Sequence, residues 1–300
     1  MGKIIETFGL TKYYAKGIIG VEDLTLTVRA GEIFGFLGAN GAGKTTTIRL
    51  LLNLIFPTSG RGQIFGKDIS KKRLTISKDT GYIPGSIKPH PHMTGENFLK
   101  YMGKFFLRAD FAYRQKLLDR FDFASSDLQR RVKDYSSGMA RKIAIIQAFQ
   151  HRPRLLIMDE PAEGLDPVMQ HRFYELLKEY RDNGGTVFIS SHHLREVEQV
   201  CDSAAIIRGG RLATVEKVKD LKAHMARPVH VRFKRKVKRP DLESKAWEIV
   251  SLQDNVLHAR LTGDINDVIG LLSGFDIEDI SRPDPSLEDI FLSYYREEEE

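Results

Sequence analysis

The chain has 300 residues, 41% of them hydrophobic and 29% charged, with a formal net charge of +6. This is the composition of a globular protein with one large domain and a small one; no run of about 18 apolar residues offers a membrane span, and the start, Met1-Gly2-Lys3-Ile4-Ile5-Glu6-Thr7, lacks the apolar core of a signal peptide. One cysteine, Cys201, rules out an intramolecular disulfide and points to a reducing compartment.

Residues 3 to 31 read as two strands joined by a loop, with Leu24-Thr25-Leu26-Thr27-Val28 alternating as a half-buried strand does. Tyr13 and Tyr14 fall in that loop, where an aromatic face can stack on a purine. Ile33-Phe34-Gly35-Phe36-Leu37 is a short buried strand. It runs into Gly38-Ala39-Asn40-Gly41-Ala42-Gly43-Lys44-Thr45, which has the spacing of a phosphate-binding P-loop. Thr46 to Leu52 then begins a helix. The glycines allow the backbone to approach phosphate closely, and the helix N-terminus adds partial positive charge. Lys44 is a point charge for the outer phosphates, and the Thr45 hydroxyl suits Mg²⁺.

Short strands follow at Gly60–Ile64 and Thr80–Pro84, then a mainly helical stretch from about Gly95 to Gln150. Phe98, Tyr101, Phe105 and Phe106 in that stretch read as core. Ser136-Ser137-Gly138-Met139 opens a helix with Ser136 as its cap. Leu155-Leu156-Ile157-Met158 is a central parallel strand ending in Asp159-Glu160. In a P-loop protein the first acid there holds Mg²⁺, and the second can polarise a water as general base. Thr186 to Ser191 is another buried strand, ending in His192-His193, and a histidine at that edge can reach a γ-phosphate. Cys201 reads as a small packed residue. Ala204 to Gly210 is a strand and a tight turn. Near residue 225 the character changes: His230 to Lys238 alternates apolar and basic, which predicts an edge strand of a small α+β appendage with two helices. The last helix starts at Ser286, and Glu297 to Glu300 reads as a disordered tail.

Taken in order, these motifs resemble the nucleotide-binding subunit of an ATP-binding-cassette (ABC) transporter. Gly38 to Thr45 matches Walker A, Tyr135-Ser136-Ser137-Gly138-Met139 the signature, and Leu155 to Asp159 Walker B with Glu160 following. Pro161 to Asp166 matches the D-loop, His192 the switch histidine, and Tyr14 the adenine-stacking position. The signature, His92-Met93-Thr94-Gly95-Glu96 and Ser286-Leu287-Glu288-Asp289-Ile290-Phe291 look like the type-2 exporter group. One departure stands out. After Tyr82-Ile83-Pro84 the Q-loop position is Gly85, which has no side chain to reach metal or water.

The resemblance implies an α/β P-loop cassette over residues 1–224, with a helical subdomain at about 88–150 and an accessory domain at 225–300. Its cofactors are ATP and Mg²⁺. It implies two copies, or one copy and a paralogous cassette, closing head to tail on two ATP molecules. Gly38, Asn40, Gly41, Ala42, Gly43, Lys44, Thr45 and Thr46 hold the phosphates, and Thr45 and Asp159 the metal. The signature Ser136, Ser137, Gly138 and Met139 acts in trans, with Ser136 and Gly138 of the partner subunit capping the γ-phosphate, and Asp166 makes contacts across the interface. Glu160, His192 and Lys44 are catalytic. Separate membrane permease subunits would hold the protein at the cytoplasmic face of the cell membrane, with no nucleic acid expected. The alternative is a soluble ABC ATPase acting on ribosomes or nucleic acid; such chains carry two cassettes or a long coiled-coil insertion, and this one has neither.

Overall fold

A computed structural model describes residues 2–86, 91–106, 110–223 and 227–281. The chain divides into two compact units, Met1–Val218 and Lys219–Glu300.

In the first unit, β1 (Lys3–Tyr13) and β2 (Ile19–Arg29) form an antiparallel pair; β3 (Ile33–Leu37) leads through the P-loop into α1 (Lys44–Leu51). Next come β4 (Ser59–Ile64), β5 (Lys67–Asp68), α2 (Arg73–Ser77) and β6 (Thr80–Ile83). The helical stretch comprises α3 (Gly95–Gly103), α4 (Phe111–Arg120), α5 (Ser125–Gln129) and α6 (Ser137–Phe149). Then follow β7 (Leu155–Asp159), α7 (Pro167–Asp182), β8 (Thr186–Ser191), α8 (Leu194–Val200), β9 (Ser203–Arg208) and β10 (Arg211–Lys217).

The strands make two sheets. One has the order β2-β1-β4-β5 and is antiparallel. The other has the order β10-β9-β3-β8-β7-β6 and is parallel from β9 to β6. Strands β3, β7 and β8 are buried at every residue, as a sheet covered on both faces requires. A single core cluster joins the two sheets through α1: Leu24, Leu26 and Ile64 from one, Phe34, Phe36, Ile157 and Phe188 from the other, and Ile48, Leu50 and Leu51 from the helix. Phe188 stacks on Phe34 with ring centroids 5.9 Å apart. Burying side chains of this size contributes roughly 1.5–3 kcal/mol each, and it fixes the strand ends that carry the polar residues.

Two expectations need correction. Tyr101 and Phe105 are not core: they are 42% and 60% exposed and pack edge to face against each other, while Leu99 is buried in α3 between Gly95 and Gly103, which are also buried. Phe98 and Phe106 are half-buried. Only Tyr101 and Phe105 face outward; Phe106 stacks on the buried His151.

The second correction lies in the other unit. After α9 (Val218–Ala223), β11 (Arg227–Phe233), β12 (Trp247–Gln253), β13 (Val256–Leu261), α10 (Ile265–Leu272) and β14 (Ile277–Ser281) form a sheet of order β12-β13-β11-β14. Strand β11 is therefore internal, paired with β13 and β14, and not an edge. Its alternation records one buried face (Val229, Val231, Phe233) against Leu257, Ala259, Val268 and Leu272. Trp247 anchors this core, its Nε1 donating to Leu242 O at 2.7 Å. The helix expected at Ser286 and the acidic tail lie outside the described residues.

Candidate active site at the carboxyl edge of the parallel sheet

Strands β3, β8 and β7 are neighbours, with Leu37 opposite Ser191 and Asp159 opposite Ser190. The loops after them therefore emerge side by side, where open α/β sheets bind ligands. β6 adds a fourth, with Ile83 opposite Met158, and its loop brings Gly85 to the same edge.

The P-loop is built as its glycines predict. Gly41 and Gly43 have φ of 84° and 112°, in the left-handed region. A Cβ on Gly43 would lie 2.5 Å from Gly20 O, so the close approach excludes any side chain. Gly43 caps α1, whose first-turn N–H groups point at the loop's concave side. Lys44 is 5% exposed, and its Nζ donates to Gly38 O at 2.7 Å and Ala39 O at 3.1 Å. Nζ also lies 3.3 Å from Glu160 Oε1. Asn40 and Gly41 sit exposed at the loop tip, and Ala42 is buried beneath it. Tyr14 lies beside the loop, its hydroxyl 3.2 Å from Thr46 Oγ1 and its ring 38% exposed.

Asp159 is held at both oxygens. Thr45 Oγ1 donates to Oδ2 at 2.8 Å and Ser190 Oγ donates to Oδ1 at 2.6 Å. Ser190 is a site residue that the motif reading missed. Its only sequence signal is a polar pair ending an apolar strand.

Glu160 has φ of 47°, uncommon for a residue with a side chain. Such a conformation costs on the order of 1–3 kcal/mol and persists only where neighbours enforce it. Here Glu160 N donates to Ser190 O at 3.1 Å, and Glu163 N donates to Glu160 O at 3.3 Å. The bend turns the carboxylate back between Lys44 and His192. His192 Nδ1 lies 2.6 Å from Glu160 Oε2, without aligned hydrogen-bond geometry. Behind His192, Ser191 Oγ accepts from His193 N at 2.9 Å and donates to Glu196 Oε2 at 2.5 Å. Burial raises the Glu196 carboxyl to about 7.

Lys44, Thr45, Asp159, Glu160, His192 and Gly85 thus meet at one place. The signature residues stand at another, at the start of α6. Ser136 Oγ caps that helix, accepting from Met139 N at 3.2 Å. Ser137 follows as the first helical residue, and Met139 Sδ is 3.7 Å from Arg130 Nη1. A Cβ on Gly138 would lie 3.2 Å from Gly164 O, so the signature turn abuts the loop before α7. Asp166 caps α7, accepting from Met169 N at 3.0 Å. Cys201 is buried and its thiol is pushed up by that burial, in keeping with a packed residue.

The donor set suits a magnesium nucleotide. One carboxylate and one hydroxyl, 2.8 Å apart, are hard oxygen ligands, and Mg²⁺ takes few protein ligands beside substrate phosphates. Among the described residues no group of three or more His, Cys, Asp or Glu side chains forms a metal cage of its own.

Fold and site together define a P-loop nucleoside triphosphatase. The family model described as "ABC transporter" matches residues 21–163. The bacitracin transport ATP-binding protein BcrA of Bacillus licheniformis is 34% identical over 97% of this chain and 97% of its own length. The chain belongs to the ABC transporter family, as one of its ATP-binding subunits, and is an ATPase of that class. The Nod factor export ATP-binding protein I of Cupriavidus pinatubonensis is 34% identical, over 73% of this chain and 67% of its own. Among solved structures, an ATP-binding subunit of an ABC transporter is similar with a TM-score of 0.68 and 30% identity, over 73% of this chain and 92% of that one. A dimeric ATP-binding cassette in a post-hydrolysis state bound to ADP and Pi shares the fold at a TM-score of 0.65 and 20% identity, over 72% and 99%.

Proposed function

We propose that this chain energises an exporter by closing in pairs on ATP, with Glu160 as the base that activates water. One observation carries the reading: Glu160 is bent out of β7 so that its two oxygens face Lys44 Nζ and His192 Nδ1. A carboxylate fixed between a phosphate-binding cation and a histidine at the sheet edge is placed to take a proton from water beside a γ-phosphate. Lys44 and the α1 amides neutralise the phosphates, and His192 steadies the terminal one. Thr45 and Asp159 would hold Mg²⁺, which supplies charge neutralisation to the phosphates. Tyr14 stacks on the base.

Phosphoryl transfer is mostly positioning and charge stabilisation, so a site lacking half its donors is slow. Within one chain Ser136 caps its own helix and Gly138 abuts the loop before α7. The serine-capped N-terminus of that helix supplies the missing donors when Ser136 and Gly138 of the partner subunit close over the γ-phosphate. Asp166, exposed at the start of α7, lies at that junction. Export is supported by relatives named for bacitracin transport and Nod factor export. No helix among the described residues is long and apolar enough to cross a membrane. In this reading a separate permease carries the cargo and holds the subunit at the inner face. The exposed Tyr101–Phe105 pair supports a docking surface for it.

Light scattering of Glu160→Gln tests the pairing: ATP with Mg²⁺ is expected to double the mass. A mass that stays monomeric at saturating nucleotide would overturn it.

A further inference from the structure

Arg141 lies outside the P-loop, signature, Walker B and D-loop residues. It lies on α6, one turn after the signature, and is 6% exposed. Burying a cation is costly unless each donor finds an acceptor. Here the guanidinium finds three backbone carbonyls: Nε donates to Glu163 O at 3.0 Å, Nη1 to Pro84 O at 3.0 Å and Nη2 to Gly85 O at 2.9 Å. These come from two separate loops. Pro84 and Gly85 follow β6; Glu163 follows β7 in the turn that begins at Glu160.

Each loop leads to a catalytic carboxylate. A Cβ on Gly85 would lie 3.2 Å from Asp159 Oδ2, so the gripped peptide rests against the acid that Thr45 and Ser190 hold. On the other side, Glu163 N donates to Glu160 O. The bond from Arg141 to Glu163 O therefore braces the turn in which Glu160 keeps its positive φ. Burial lowers the tendency of Arg141 to stay charged, and Glu163, Asp159 and Glu160 oppose that, which places its charge within range of both acids. A planar fork suits this task. Its N–H groups leave in fixed directions, whereas a lysine ammonium is one point on a flexible stem.

We propose that Arg141 is a positioning residue of the ATPase site. It holds the Gly85 peptide and the Glu160 turn in register from the signature helix, making through backbone the joint for which Gly85 has no side chain. The proposal rests on the reading of Glu160 as the base, and its test separates the two.

The experiment is a double-substitution cycle on the full chain, by single-turnover hydrolysis of radiolabelled ATP with Mg²⁺, and nucleotide affinity by equilibrium binding. Arg141→Lys keeps the charge but not the fork. It is expected to lower the hydrolysis rate about tenfold or more with ATP affinity within about threefold. In the Glu160→Gln background the same substitution is expected to cost less than about threefold, because a residue acting through Glu160 has little left to lose. Arg141→Gln, neutral and shorter, serves as second variant should Lys misfold, with the same non-additivity expected. Effects that multiply in the double variant, or a rate loss matched by lost ATP affinity, would overturn the proposal. An unimpaired Glu160→Gln would instead overturn the reading of Glu160.

Discussion

Replacing Glu196 by glutamine gives a pH signature that can be worked from the structure. The carboxyl is 6% exposed. Its neighbours are Ser191, which donates to Oε2, Tyr174 on α7, Cys201 at the end of α8, and the Glu160 charge. Desolvation is the largest cause of its rise from 4.5 to about 7; the Glu160 charge adds to it, and hydrogen bonds with Ser191 and Tyr174 oppose it. At about 1.4 kcal/mol per pH unit this amounts to about 3 kcal/mol. The folded chain binds the proton more tightly than the unfolded one, so the unfolded state holds fewer protons between pH 4.5 and 7. Stability from this group is complete below pH 4.5 and is lost as pH rises through 7. The substituted glutamine does not titrate. Its amide adds a fixed cost, but the difference between Glu196→Gln and wild type changes only across that window. At about 2–4 °C per kcal/mol for a protein of this size, the variant is expected to gain about 6–12 °C in melting temperature relative to wild type between pH 4.5 and 8. Thermal melts followed by circular dichroism in matched ionic strength measure this. A difference that stays flat across the range would refute the claim that burial raises the Glu196 carboxyl.

Two further substitutions report on the frame of the site and on the second unit. Gly43→Ala places a methyl 2.5 Å from Gly20 O at a φ of 112°; it is expected to destabilise by about 2–4 kcal/mol from clash and strain together and to weaken ATP binding at least tenfold, by melting and calorimetry. Trp247→Phe leaves Leu242 O without its donor in a buried setting, which is expected to cost about 1–3 kcal/mol in the unit from Lys219 onward, read by urea unfolding, with ATP turnover by the isolated chain unchanged.

Much of this site was legible in the sequence because its residues sit at the ends of strands. A P-loop between an apolar run and a helix, and Asp159-Glu160 at the end of another apolar run, fix their own surroundings. Parallel pairing then brings the ends together. Residues whose roles come from tertiary contact were not legible. Ser190 is one polar residue ending a buried strand, and nothing local says that it faces Asp159. Arg141 looks like a surface arginine on an amphipathic helix until the loops after β6 and β7 are folded against it. The bend at Glu160 has no glycine to announce it. Where pattern misled, it was asked for more than it holds. The alternation in β11 shows that one face is buried but not how many neighbours the strand has. The aromatic stripe of α3 shows an apolar face, but not whether this chain or another covers it.

The central claim is that Glu160 activates the water while Lys44 and the glycine loop bind the nucleotide. Steady-state ATPase and equilibrium ATP binding of Glu160→Gln test it side by side. Turnover is expected to fall roughly 10²–10⁴-fold, the usual worth of a general base, with ATP affinity held within a few-fold of wild type. Turnover close to wild type, at undiminished affinity, would contradict the account.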